Sequence, residues 1–327
     1  MRKRILFLMV FLIFTGFSLS AFSEEKRSYS CFRLAKEPLL DGRLKGDPAW
    51  KNIPVATDFI KLGTTTVASK QTSFRIGYTP DALYIGIECR ESEIGRLKAE
   101  LKDMESLWAE DSVEIFIFPK EADRYYQFVV NTIGSRWNGI RGSHAEEGIE
   151  VKPSLWNWQA KTYKGQDFYS VETRIPFELF LAIPEKNEEW TGNICRNIYT
   201  SGDKNTCWAY LKKGFHEPRN FGKIIFKDEI LQEEGRKTKE RIIHLSKENI
   251  AVNIKSIHKR KKMFIKAMEK YPALQKEIFS FLKKCENTNK KLSQLDTVKQ
   301  ARLLVKTSSS LYSQSNELKR RILLERF

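Results

Sequence analysis

The hydrophobic pattern of this chain changes period near Asp228, and that change limits the folds open to it. Up to Lys227 apolar residues alternate with polar ones: Phe74, Ile76 and Tyr78 against Ser73, Arg75 and Gly77, then Leu83, Ile85, Ile87 and Cys89 against Tyr84, Gly86, Glu88 and Arg90. Alternation of this kind marks half-buried strands, and Thr79-Pro80-Asp81 between the two runs reads as a turn whose proline presets its own φ. Further strands are expected at residues 111–118, 124–132, 155–162, 168–175, 193–199, 206–211 and 223–226. The first of these should be central, because Phe116 and Phe118 give it a second apolar side. Pro176 before Phe177-Glu178-Leu179-Phe180 predicts one short helix. So many short strands broken by turn signals predict an antiparallel β-sandwich of immunoglobulin or jelly-roll type over residues 31–227.

After Asp228 the only glycine and proline are Gly235 and Pro272, and Ile242, Leu245, Ile250, Ile254 and Ile257 follow helical spacing. Residues 228–327 are therefore expected to form an α-helical hairpin or bundle. Tyr271-Pro272 should interrupt its first long helix, a second should run over 273–292, and Asp296 can cap a third from Thr297.

Charge follows the same boundary. Residues 228–327 hold 24 Lys and Arg against 12 Asp and Glu, so most of the formal net charge of +16 lies there. Much of it sits in Lys259-Arg260-Lys261-Lys262, Lys283-Lys284, Lys290-Lys291 and Lys319-Arg320-Arg321. The plain account is a solvated lysine face. An anionic envelope surface, a wall polymer or a protein partner is the alternative, and the apolar spacing is too irregular for a long coiled coil.

Nucleic acid is not an expected partner, because the N-terminus predicts export. Arg2, Lys3 and Arg4 precede an uncharged run from Ile5 and small residues up to Ser23, the pattern of a signal peptide over residues 1–23, with an uncleaved anchor as the alternative. The five cysteines, Cys31, Cys89, Cys195, Cys207 and Cys285, are an odd number for an oxidising compartment. Cys195 and Cys207 lie on neighbouring strand-like segments and could bridge, although buried free thiols fit equally well.

Two tryptophans carry the candidate site. Trp108 opens Trp108-Ala109-Glu110-Asp111-Ser112-Val113-Glu114, and Trp208 closes Asn205-Thr206-Cys207-Trp208. A pyranose has apolar C–H faces and a rim of hydroxyls. An indole stacks on the face while Glu and Asn side chains satisfy the rim. Trp108, Glu114, Asn131, Asn205 and Trp208 supply both kinds of group. Trp50, Trp137, Trp156, Trp158 and Trp190 compete for either a ligand or a core role.

Four ordered segments resemble the family 9 carbohydrate-binding modules. They are Leu40-Asp41-Gly42 with Asp47-Pro48-Ala49-Trp50; Trp108 through Glu114; Tyr126-Gln127-Phe128-Val129-Val130-Asn131 with Gly134; and Phe215-His216-Glu217-Pro218 with Phe221-Gly222. The resemblance implies a β-sandwich that clamps an oligosaccharide or polysaccharide end between two tryptophans, with Trp108 and Trp208 at the clamp positions. It places Glu114, Asn131 and Asn205 at the polar ones. Val129 departs from the family, whose ligand-binding members tend to carry arginine there. The family's structural calcium would have oxygen donors in Asp41, Asp47 and Asp111, although no calcium-loop spacing is present and a capping role suits each. No cofactor is otherwise required.

Catalysis has little support, since Glu110, Asp111 and Glu114 share one strand and do not straddle a cleft. Two other outcomes stay open. Related sandwiches bind haem through Met, His or Lys, and Met104, His144 and His216 are the only Met or His residues in this region after the leader. A structural or protein-interaction module without a sugar ligand is the other.

Overall fold

The computed structural model describes residues 26–142 and 156–324. The expected signal peptide, His144 and the start of the strand expected at 155–162 lie outside the described residues. Twelve strands come first: β1 (Ser28–Arg33), β2 (Ile60–Lys61), β3 (Thr72–Tyr78), β4 (Ala82–Arg90), β5 (Ser112–Phe118), β6 (Arg124–Asn131), β7 (Arg136–Gly142), β8 (Gln159–Lys164), β9 (Phe168–Pro176), β10 (Glu189–Asn197), β11 (Asn205–Cys207) and β12 (Gly222–Phe226). A single turn of helix, α1 (Phe177–Phe180), separates β9 from β10. Helices α2 (Gln232–His258), α3 (Lys261–Lys270), α4 (Pro272–Leu292) and α5 (Val298–Leu324) follow.

The strands form a sandwich of two layers, β7-β6-β5-β10-β12-β1 and β1-β3-β4-β9-β8, with β11 and β2 extending from β10. β1 belongs to both layers. Its residues 28–31 pair with residues 223–226 of β12, and then Phe32 and Arg33 pair with Gly77 and Tyr78 of β3. Both of these pairings are parallel, so the sandwich is mixed where alternation alone implied antiparallel strands throughout. Period two cannot distinguish the two, because side chains alternate faces in either direction.

The core lies between the layers. Ile76, Ile85, Ile87 and Val171 of one meet Val113, Ile115, Phe128 and Ile194 of the other, all essentially inaccessible to water. Each such side chain contributes about 1.5–3 kcal/mol by leaving solvent. Phe177 and Phe180 of α1 close one end against Trp190, at ring separations of 6.1 and 5.5 Å. At the other end a buried ionic group joins the layers: Arg196 of β10 donates to Glu91 Oε2 at 3.2 Å and to the Arg90 carbonyl at 2.9 Å. Lys70 Nζ reaches Glu91 Oε1 at 2.5 Å, and Thr200 Oγ1 donates to Glu91 Oε2 at 2.7 Å. Burial pushes the Glu91 carboxyl up, but the bonds from Lys70 and Thr200 more than offset it and leave the group below its ordinary range.

The helices have their own core, built from Ile250, Ile254, Ile257, Phe264, Ile278, Phe281, Leu311 and Ile322. Four helices form where three were expected, because the chain also breaks at Lys259-Arg260, between α2 and α3. The bundle is fixed to the sandwich: Ile242 of α2 joins the sandwich core, and Arg302 of α5 pairs with Glu188 at 3.1 Å. Arg302 also donates to the Ile183 carbonyl, and Arg124 of β6 donates to Ser309 Oγ at 2.8 Å.

Candidate functional site

With Val113, Ile115 and Ile117 committed to the core, alternation turns Ser112, Glu114 and Phe116 of β5 to the outer face of their layer. The ladders place Val129 and Cys195 on either side of Glu114, and Asn131 and Asn197 on either side of Ser112. Next to β6 lies β7, where Trp137 faces Val129 and Gly139 faces Gln127. Asn205 of β11 pairs with Asn197 and shares this face.

The floor of the face is polar. Glu114, nearly inaccessible to water, accepts hydrogen bonds from Gln127 Nε2 at 2.7 Å and Asn197 Nδ2 at 2.8 Å. Asn197 Nδ2 also donates to Ser112 Oγ at 3.0 Å. Burial pushes the Glu114 carboxyl above its ordinary range, and the two amide bonds and the charge of Arg141 offset this only in part. Gln127 Oε1, itself shielded, has no hydrogen-bond partner among the described residues. An unpaired buried amide oxygen costs about 1–3 kcal/mol, which a donor hydroxyl would relieve.

The wall of the face is aromatic. Trp108 lies in a 3₁₀ turn at Leu107–Ala109 and is 38% exposed. Its ring stands edge-on to Trp137, with centroids 5.3 Å apart and planes at 89°. The Trp137 indole lies across its own strand over Gly139, where a Cβ atom would come within 2.4 Å of the ring. Tyr199, 48% exposed, donates its hydroxyl to the Trp108 carbonyl at 3.1 Å, and Lys98 Nζ stands 5.4 Å from its ring centroid.

Of the five residues selected from sequence, four lie on this side of the layer and three of those line the candidate site. Trp108 forms its wall, Glu114 its floor and Asn205 its far, exposed edge. Asn131 holds the scaffold instead. Fully buried, it donates to Glu110 Oε1 at 2.6 Å and the Leu101 carbonyl at 2.9 Å, and its own oxygen accepts from the backbone N–H of Ser135 at 2.8 Å. Glu110 in turn accepts from the backbone of Glu100 at 2.8 Å. The pair thereby anchors the turn that carries Trp108.

Trp208 lies on the opposite side of the layer, correcting the two-tryptophan clamp. It is 4% exposed and packs edge-on against Phe74 of the other layer at 5.2 Å, with Gly222 against its ring. Asn205 and Trp208 are three residues apart, an odd spacing that sends their side chains to opposite faces of an extended segment.

Asp41, Asp47 and Asp111 do not converge. Asp41 accepts from Arg43 N, Asp47 caps the turn at Pro48–Trp50 by accepting from Ala49 N, and Asp111 accepts from Lys98 N and Tyr199 N. Among the described residues no group of three or more His, Cys, Asp and Glu is placed to hold a metal ion. Met104 and His216 sit at opposite ends of the β6–β7 ladder: Met104 N donates to the Arg136 carbonyl, whereas His216 Nδ1 meets the Tyr125 hydroxyl at 2.9 Å. They cannot be axial ligands of one haem.

His216 gives the fold a pH dependence. Burial, assisted by the positive charge of Arg141, pushes its pKa down to about 4. An unfolded histidine takes up a proton near pH 6.5, so the unfolded state binds more protons between about 4 and 6.5. Stability should therefore be fully present above that window and fall as the pH drops through it. Melting temperatures of the wild type and His216→Gln measured from pH 7.5 to 4 should converge towards the acid end; parallel curves would refute this.

Comparisons with known proteins bear on the same region. The model of carbohydrate-binding family 9 matches residues 65–226. Among solved structures, a candidate carbohydrate-binding protein from Bacteroides uniformis is 16% identical with a TM-score of 0.50, over 62% of this chain and 100% of its own. A family 9 carbohydrate-binding module from Caldicellulosiruptor kristjanssonii, solved in complex with glucose, is 19% identical with a TM-score of 0.47, over 62% of this chain and 97% of its own. A family 9 module from the same organism in complex with cellotriose gives 18% identity and a TM-score of 0.47 over 63% and 96%. No curated protein matches the sequence. The match ends with β12 and leaves α2–α5 outside it, so the likeness of this chain to carbohydrate-binding family 9 is carried by the β region, over residues 65–226.

Proposed function

We propose that this chain is an exported, non-catalytic protein that binds a saccharide on the outer face of β7, β6, β5 and β10. The observation that carries this reading is the right-angled pair Trp108 and Trp137 beside the Glu114–Gln127–Asn197 cluster, within the region matched by a carbohydrate-binding family. One indole offers a stacking platform and the other a wall. The cluster offers hydroxyl partners, including the unpaired Gln127 Oε1. Val129 stands where ligand-binding relatives tend to carry arginine, and here its ladder neighbour is Trp137. Export rests on Arg2, Lys3 and Arg4 followed by the apolar run.

Calorimetric titration with gluco-, xylo-, manno- and galacto-oligosaccharides bearing free reducing ends should find at least one ligand. Trp108→Ala and Trp137→Ala should each lower its affinity at least tenfold, a loss of about 1.4 kcal/mol or more. Gly139→Val, which displaces the Trp137 ring, should weaken binding in the same direction. Undiminished affinity in Trp137→Ala would remove this face as the site, and silence across the whole panel would favour a structural or protein-interaction module.

A further inference from the structure

The register of β10 and β11 sets Cys195 directly opposite Cys207. Two flanking pairs show the kind of rung this is. Trp208 N donates to the Ile194 carbonyl at 2.9 Å, and Ile198 N donates to the Lys204 carbonyl at 2.7 Å. Directly opposed residues that exchange backbone hydrogen bonds alternate with ones that do not. Ile194 with Trp208 and Ile198 with Lys204 are of the first kind, and so, between them, is Arg196 with Thr206. Cys195 with Cys207 is therefore a non-hydrogen-bonded rung, whose Cα atoms approach to about 4.5 Å with side chains on the same face. That spacing falls inside the range a disulfide spans, about 4.4–6.8 Å between Cα atoms. Both cysteines belong to the apolar cluster with Phe116, Tyr125 and Leu211 on the outer face. The remaining cysteines have no such partner: Cys31 stands opposite Phe226, Cys89 opposite Thr72, and Cys285 lies in α4.

We infer that Cys195 and Cys207 form a cross-strand disulfide when the chain folds in the presence of a disulfide oxidant. The step is thiol–disulfide exchange. One cysteine thiolate attacks a sulfur of a small-molecule disulfide, such as oxidised glutathione, to give a mixed disulfide and one released thiol. The second cysteine then displaces the other thiol, so two protein thiols become one S–S bond and the oxidant is reduced to two thiols. In the reduced fold both cysteines are sealed from water, and burial holds the Cys195 thiol well above its ordinary pKa. The bond accordingly forms before the outer cluster closes over the pair.

The bond would act on the saccharide face without depending on what that face binds. β11 has three residues, and its outer neighbour β2 has two, so few backbone hydrogen bonds hold this edge. The segment between the cysteines carries Tyr199 and Asn205. A bridge at its base closes it into a loop and fixes both residues at the edge of the face.

The chain, denatured in guanidinium and refolded with excess oxidised glutathione, is then unfolded in denaturant containing the alkylating reagent and digested without reduction. Mass mapping should recover one cross-linked peptide joining Cys195 to Cys207, with alkyl label on Cys31, Cys89 and Cys285. The same map is expected for protein isolated directly from an oxidising expression compartment. The oxidised wild type should melt on the order of 5–10 °C above the reduced form, a difference absent in Cys195→Ser/Cys207→Ser. Label on both Cys195 and Cys207 in natively fluorescent refolded protein overturns the inference, as does a bridge to Cys31 or Cys89.

Discussion

Replacing Trp208 with alanine should destabilise the protein by about 3–5 kcal/mol, the range for emptying a buried indole site. The ring fills the space between Phe74 and Gly222 inside the sandwich. Trp208→Phe keeps much of the packing and should cost less than half as much. Because the indole faces away from Glu114, the phenylalanine variant should also retain saccharide affinity within about twofold, a difference near 0.4 kcal/mol. Urea unfolding of both variants beside Trp108→Ala, whose ring is partly solvated, gives the comparison. A Trp208→Phe protein of unchanged stability that no longer binds sugar would restore the two-tryptophan clamp and sink the core assignment.

A comparable loss is expected two residues along β10 from Ile194, the partner of Trp208, in Arg196→Met. The guanidinium is fully enclosed, lies 5.1 Å over the Tyr169 ring and bonds Glu91 and the Arg90 carbonyl. Removing one partner of a buried ion pair generally costs about 3–5 kcal/mol, because the other charge stays out of water. Lys70 still neutralises one oxygen of Glu91, which places the expected value at the lower end. Arg196→Met/Glu91→Leu should recover part of the loss, since two apolar groups need no pairing. The Glu91 carboxyl is held below its unfolded value, so its contribution is present at neutral pH and disappears as the pH falls through that lowered pKa. An Arg196→Met protein with an unfolding midpoint equal to the wild type would show that this group carries no stability.

Much of the architecture can be read from the chain, for a simple reason. Period two survives wherever one strand face is buried more fully than the other, as at β3 and β12, and period 3.6 governs the helical region. β7 escapes this test. Its Arg136-Trp137-Asn138-Gly139-Ile140-Arg141 alternates aromatic, glycine and cation on the outer side, with Asn138 and Ile140 inward, so hydrophobicity does not alternate at all. The pattern therefore does not set Trp137 apart from the other tryptophans that compete for a ligand or core role. The signal that could have found it is Gly134, which adopts a positive φ in the turn after β6 and marks a hairpin return. Glu114 could be placed because its strand neighbours are unambiguous. Asn131 could not, because a sequence does not show that Glu110 and the Leu101 carbonyl already claim its amide.

The double pairing of β1 also dictates when this protein can fold. Its first half lies beside the last strand of the sandwich, and Arg33 N bonds Asp228 Oδ2 across 195 residues of chain. Contacts that distant are slow to form and cannot begin until the C-terminal partner has been synthesised. Until β12 arrives, β10 and β1 present unpaired edges, open to strands of other chains. A chain of this design should gain from whatever keeps it unfolded during translation or passage through a membrane, and truncations upstream of Gly222 should aggregate rather than yield a smaller sandwich.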